Sequence, residues 1–98
     1  MKILALEVEA PGLSAVDFAP HLEDEARTLW GLHQAGVVRE TYFRPDLHTA
    51  VLVLECESLQ HAETALASLP LVQRRLIRFE LVPLAPYSGY SRLFARAP

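Results

Sequence analysis

A single cysteine, Cys56, excludes a disulfide within the chain. It follows an apolar run, so a buried, inert thiol is expected there rather than a nucleophile. Histidine is scarce: His21, His33, His48 and His61 are the only four, and no two stand at a metal-binding spacing such as His-x-x-x-His. No metal site is expected. No glycine-rich phosphate loop occurs, and Ser14, Ser58 and Ser88 have no His–Asp arrangement around them. Positive charge is also in deficit. Nine Lys and Arg against twelve Asp and Glu give a net charge of −3, with the signs interspersed. Without a basic stripe, nucleic acid is not an expected partner. Without a polybasic helix or lipidation motif, neither is a membrane surface. No run approaches the ~18 apolar residues of a membrane span. Met1–Leu6 meets Glu7 and Glu9 too soon to be a signal peptide. The expected location is cytoplasmic.

What the chain does have is apolar content. At 98 residues it makes one domain, and 51% of it is hydrophobic, the upper edge of the globular range. In a small domain that points to apolar surface reserved for a partner. The clearest stretch is His48–Cys56, centred on Ala50-Val51-Leu52-Val53-Leu54 and uncharged until Glu55. It reads as a central strand, apolar on both faces. The chain's own helices can cover one face; a second copy is expected to cover the other.

Taken in order, Lys2–Glu9 reads as a strand, with Leu4, Leu6 and Val8 on one face and Ile3, Ala5, Glu7 and Glu9 on the other. Ala10-Pro11-Gly12 stops it. Asp17–Ala35 has helical spacing, with Asp17 as cap, Pro20 in the first turn and Gly36 as the stop. Leu22, Ala26, Leu29 and His33 form its stripe. Val37–Arg44 is a second strand, and Arg44-Pro45-Asp46-Leu47 turns it into the third. The pattern leaves the register of that hairpin open. Ser58 caps a second helix, Leu59–Leu69, which Pro70 ends. Arg75–Leu84 is the fourth strand. The tail from Pro86 to Pro98 carries Tyr87, Tyr90, Leu93 and Phe94 without a period, as a segment docked on its own chain or a neighbour's would.

The order β-α-β-β-α-β with right-handed crossovers is the ferredoxin-like split βαβ: a four-stranded antiparallel sheet with two helices on one face. The face without helices is expected to carry Ile3, Ala5, Val51 and Val53. Packing two such faces together forms a dimeric α+β barrel.

Within that frame, Glu23–Val72 resembles the corresponding segment of the muconolactone isomerases. Asp24-Glu25 in the first helix, the helix-ending Gly36, the strand–Ser58–helix passage and Leu69-Pro70-Leu71 carry the resemblance, at spacing that matches without gaps over about half the chain. The resemblance implies a cofactor-free enzyme that moves a proton between carbons of an unsaturated lactone, built from barrel-forming dimers assembled into rings. The chain departs from the family's aromatic and basic second strand, where it has Val38-Arg39-Glu40-Thr41-Tyr42, and in its tail. Substrate identity therefore does not carry over.

Moving a proton beside a carbonyl takes a base and a donor or cation for the enolate-like charge. Glu25 is the first candidate base: it matches the family's acidic pair and stands one helical turn from Leu22 and Leu29. The competing reading is a solvated acidic first turn serving the helix dipole. Arg39 is the candidate cation if its strand face points to the helices; otherwise it is a surface arginine paired with Glu40 or Glu55. His21, at the helix entrance, is placed for a pocket mouth. Glu7 and Arg78 are expected to pair at a subunit interface. The leading expectation is thus a cofactor-independent isomerase or proton-transfer enzyme on a small cyclic oxygenated molecule. The alternatives are a non-catalytic ligand-binding or assembly protein, and a cofactor-free monooxygenase.

Overall fold

The computed structural model describes residues 1–95. Its elements run β1 (Lys2–Glu9), α1 (Ala15–Phe18), a 3₁₀ turn (Ala19–His21), α2 (Leu22–Gln34), β2 (Val38–Phe43), β3 (Ala50–Glu55), α3 (Leu59–Leu66), α4 (Pro70–Gln73), β4 (Ile77–Leu84) and a second 3₁₀ turn (Gly89–Leu93). The four strands form one antiparallel sheet in the order β2-β3-β1-β4. This is the α+β, ferredoxin-like architecture expected from the sequence.

Local chemistry sets the boundaries. The first helical segment begins at Ser14, not Asp17. Asp17 sits in the first turn instead, where its Oδ2 accepts the Ser14 amide at 2.7 Å. Pro20 turns the path from α1 to α2 into 3₁₀ helix, so the single helix expected over Asp17–Ala35 is broken in two. Gly36, at φ +80°, ends α2. Its amide reaches the His33 carbonyl at 3.0 Å, and the Val37 amide reaches Leu32 at 3.0 Å, a Schellman closure that suits glycine. Ser58 Oγ accepts the His61 amide at 3.0 Å and starts α3. That helix stops at Leu66, short of the expected Leu69, and Pro70 does not end it but opens α4, where a missing amide is tolerated. Ser58→Ala is expected to cost about 1 kcal/mol and to lower Tm by roughly 4–8 °C in a domain this small. A thermal melt by circular dichroism checks this, and an unmoved Tm contradicts it.

The core lies between sheet and helices. Ile3, Ala5, Val38, Leu52 and Leu54 pack with Ala62, Leu66 and Leu69, and Leu29 and Leu32 of α2 close over them. This corrects the phase of β1: Ile3 and Ala5 face the helices, not the open side. The uncovered face instead carries Leu4, Leu6 and Val8, with Val51 and Val53 opposite Leu6 and Leu4 on β3, and Val82 opposite Leu4 on β4. A one-residue bulge at Arg39, between Val38 and Glu40, fixes the hairpin register and puts Glu40 and Tyr42 on the uncovered face. Arg78 shares that face and pairs with Glu80 at 3.5 Å. Glu7 belongs to the opposite face, beside Phe79, so the expected Glu7–Arg78 pair does not form.

Past β4 the chain leaves the body of the domain. Tyr87, Tyr90, Leu93 and Phe94 are 71%, 68%, 76% and 80% exposed. The radius of gyration is 16.8 Å, against about 13 Å for a compact 100-residue domain. Tyr87 and Tyr90 meet edge-on at 5.0 Å, but no side chain of the second 3₁₀ turn is buried.

Candidate active site

The polar half of β1 explains the site. The C-terminal end of the strand runs past the part of the core that α3 covers, so its helix-side residues, Glu7 and Glu9, meet a gap rather than packed side chains. The floor of that gap is Glu7 with Ala50 of β3. Leu22, Glu25, Ala26 and Leu29 of α2 form one wall, Leu13 and Phe18 the next, and Phe43 and His48 the rim, with Leu71 behind Glu25. The cavity measures about 630 Å³, within the range of small-molecule sites. Its walls are mainly aliphatic and aromatic.

Two carboxyl groups enter this space, one from α2 and one from β1. Glu25 is half-buried. Its Oε1 accepts the Leu71 amide at 2.9 Å, one of the free donors at the start of α4, and this ties α2 to that turn. Burial pushes its pKa above the ordinary carboxylate value, and the Leu71 amide opposes the shift in part. Glu7 is perturbed further, up to about 7, chiefly by burial; the Ala50 amide holds it down, while Glu9 and Glu25 push it up. His48 reaches the rim from a strained backbone, φ 55°, at the end of the Arg44–Leu47 turn. The turn is held by the His48 amide on the Arg44 carbonyl and by an Arg44–Asp46 ion pair, each at 2.8 Å.

Of the residues singled out from sequence, the structure brings Glu25 to the cavity. Arg39 is exposed at the bulge, where its Nε donates to the Gly36 carbonyl at 2.6 Å and closes the end of α2. His21 is half-buried in the first 3₁₀ turn, one residue from Leu22, and does not line the cavity. His33 is exposed and stacks on Trp30 at 5.5 Å, so neither belongs to the core or the pocket. Sequence reasoning missed Glu7, His48 and the Phe18 and Phe43 walls. A signal for Glu7 did exist: it has the same strand parity as Ile3 and Ala5, and placing the small Ala5 under the helices would have placed Glu7 there too. Among the described residues no group of three metal-ligating side chains converges, and no helix is long and apolar enough to cross a membrane.

The raised acid has a measurable consequence for stability. Below pH 4.5 Glu7 is protonated in both folded and unfolded chains. Between there and about 7 the unfolded chain releases the proton while the folded one keeps it, so stability falls as pH rises through that window. Glu7→Gln removes this penalty. After allowance for solvent screening of a half-exposed group, the variant is expected to gain about 1 kcal/mol above pH 7, roughly 4–8 °C in Tm, and almost nothing at pH 4.5. Melts at the two pH values check it; an equal gain at both contradicts it.

A ferredoxin-like sheet with a half-open cavity between β1 and α2 places the chain in a recognisable structural class. It superposes on muconolactone isomerase with a TM-score of 0.73 and 16% identity, covering 91% of this chain and 93% of that one. It also superposes on 5-chloro-2-hydroxyhydroquinone dehydrochlorinase (TftG) from Burkholderia phenoliruptrix AC1100, solved in complex with 2,5-dihydroxybenzoquinone, with a TM-score of 0.72 and 14% identity, covering 91% and 98%. At such identities the likeness is one of fold. No protein-family model matches the chain, and no curated protein sequence matches it.

Proposed function

We propose that the protein is a cofactor-independent proton-transfer enzyme, an isomerase in the manner of muconolactone isomerase, acting on a small cyclic oxygenated molecule. The observation that carries this is the entry of Glu25 from α2 and Glu7 from β1 into one largely apolar cavity. Glu25 takes a proton from a ring carbon joined to a carbonyl directly or through a double bond. The electron pair shifts onto the carbonyl oxygen, where a protonated Glu7 donates a hydrogen bond to the developing charge. Glu25 then returns the proton to the carbon at the far end of the conjugated system. No atom is gained or lost and the double bond has moved. Apolar walls help because they exclude water and strengthen both hydrogen bonds.

The fold's likeness to a lactone isomerase and to a dehydrochlorinase supports a site that handles ring protons. Activity is tested by following the ultraviolet spectrum of muconolactone or a neutral unsaturated γ-lactone with purified protein. Turnover is expected to fall on the alkaline side as Glu7, at about 7, loses its proton, and Glu7→Gln is expected to remove that limb. A pH-independent rate in the wild type contradicts the role of Glu7.

We also propose that the uncovered face, with Leu4, Leu6, Val8, Val51, Val53 and Val82, pairs with the same face of a second copy to close an α+β barrel. The exposed tail, with Tyr87, Tyr90, Leu93 and Phe94, docks on that neighbour. One observation favours a non-catalytic ligand-binding protein instead: the bond from Glu25 to the Leu71 amide is a structural use for the same carboxylate. Turnover decides between the two readings.

A further inference from the structure

We propose that the cavity selects an uncharged cyclic ligand and rejects one bearing a carboxylate. The inference rests on the reading of this cavity as a substrate site and narrows its substrate class.

The argument is one of charge and shape. Three carboxyl groups line the space: Glu7 on the floor, Glu25 on the α2 wall and Glu9 towards the mouth. Among the described residues neither lysine nor arginine lines it; His48 at the rim is the one basic side chain. The arginines nearest in sequence are engaged elsewhere. Arg44 holds Asp46 at 2.8 Å, Arg27 holds Asp24 at 2.6 Å, and Arg39 is bound to the Gly36 carbonyl. Sites that take carboxylates or phosphates use an arginine fork or a cluster of free backbone amides. Here the amide at the start of α4 is already occupied by Glu25. An anionic ligand would lose its hydration and meet like charges inside low-dielectric walls. A neutral ring meets Phe18, Phe43, Leu22 and Leu29 for packing, and carboxyl oxygens for its hydroxyl or carbonyl groups.

Muconolactone and its methyl ester make a matched pair: the ring is the same, and the ester caps the carboxylate and removes its charge. Isothermal titration at pH 7.5 is expected to give an ester affinity about 10- to 100-fold above that of the acid. At pH 5.5 Glu7, which shares the cavity with Glu9, Glu25 and His48, is protonated, so the gap is expected to narrow. Glu9→Gln, which removes one of the three cavity carboxylates, is expected to narrow the gap between acid and ester at pH 7.5, and a gap that widens counts against the inference. Acid bound as tightly as ester, or more tightly, overturns the inference. Ester bound without turnover leaves the charge selection standing and counts against the catalytic reading. Neither compound bound up to millimolar concentration overturns both.

Discussion

Leu4→Asp is expected to leave the protein folded and monomeric, where the wild type is expected to be a dimer. Leu4 stands on the uncovered face with Val53 on one side and Val82 on the other, the most apolar row of that face. In a single chain the residue is only partly covered, so an aspartate there stays in water and the core of Ile3, Leu52 and Leu54 on the opposite face is untouched. In a barrel the same carboxylate would be buried against its copy; the cations of that face are Lys2, exposed at the end of the strand, and Arg78, which is paired with Glu80. Burying an unpaired charge costs several kcal/mol, and ~4 kcal/mol raises a dissociation constant about a thousandfold. Light scattering after size exclusion reads the mass directly: twice 10.9 kDa for the wild type and 10.9 kDa for the variant. A wild type at 10.9 kDa ends the pairing proposal, and a variant that stays dimeric moves the interface elsewhere.

Glu25→Gln is expected to reduce turnover by about 10²- to 10⁴-fold with little loss of stability. The substitution separates the two uses of this side chain. A glutamine oxygen still accepts the Leu71 amide, so α2 stays tied to α4. What is lost is the capacity to take up a proton. Glu25→Ala loses both, and leaving the Leu71 amide without its partner is expected to cost a further ~1–3 kcal/mol, as an unsatisfied buried donor does. Equal loss of stability in both variants, with turnover in Glu25→Gln near wild type, would assign the carboxylate to structure alone. Initial rates and melts on the same three preparations settle the matter.

The order of elements was legible because its punctuation is local. Gly36 closes α2 through two hydrogen bonds within five residues, and Ser58 opens α3 through one. No distant contact is needed to predict either. The facing of β1 was not legible, because both its phases are apolar through Leu6 and alternation cannot choose between them. The choice is made by tertiary packing, which puts Ile3 and the small Ala5 under the helices. That error carried Glu7 to the wrong side and hid the second carboxyl of the cavity. The hairpin register depended on a bulge at Arg39, which no residue type there announces. Glu25 was found through its place on α2 and the family likeness, but its bond to Leu71, 46 positions away, is a product of the fold.

The site's chemistry can be read most directly from hydrogen exchange on carbon. A neutral unsaturated γ-lactone is incubated in heavy water with wild type, Glu7→Gln or Glu25→Gln protein, and the ring protons are followed by proton NMR. The wild type is expected to wash out the proton on the ring carbon joined to the carbonyl directly or through a double bond well above the buffer rate, with Glu25→Gln at the buffer rate and Glu7→Gln at an intermediate one. Exchange at the buffer rate in all three, with the lactone shown to be bound, would contradict proton transfer in this cavity.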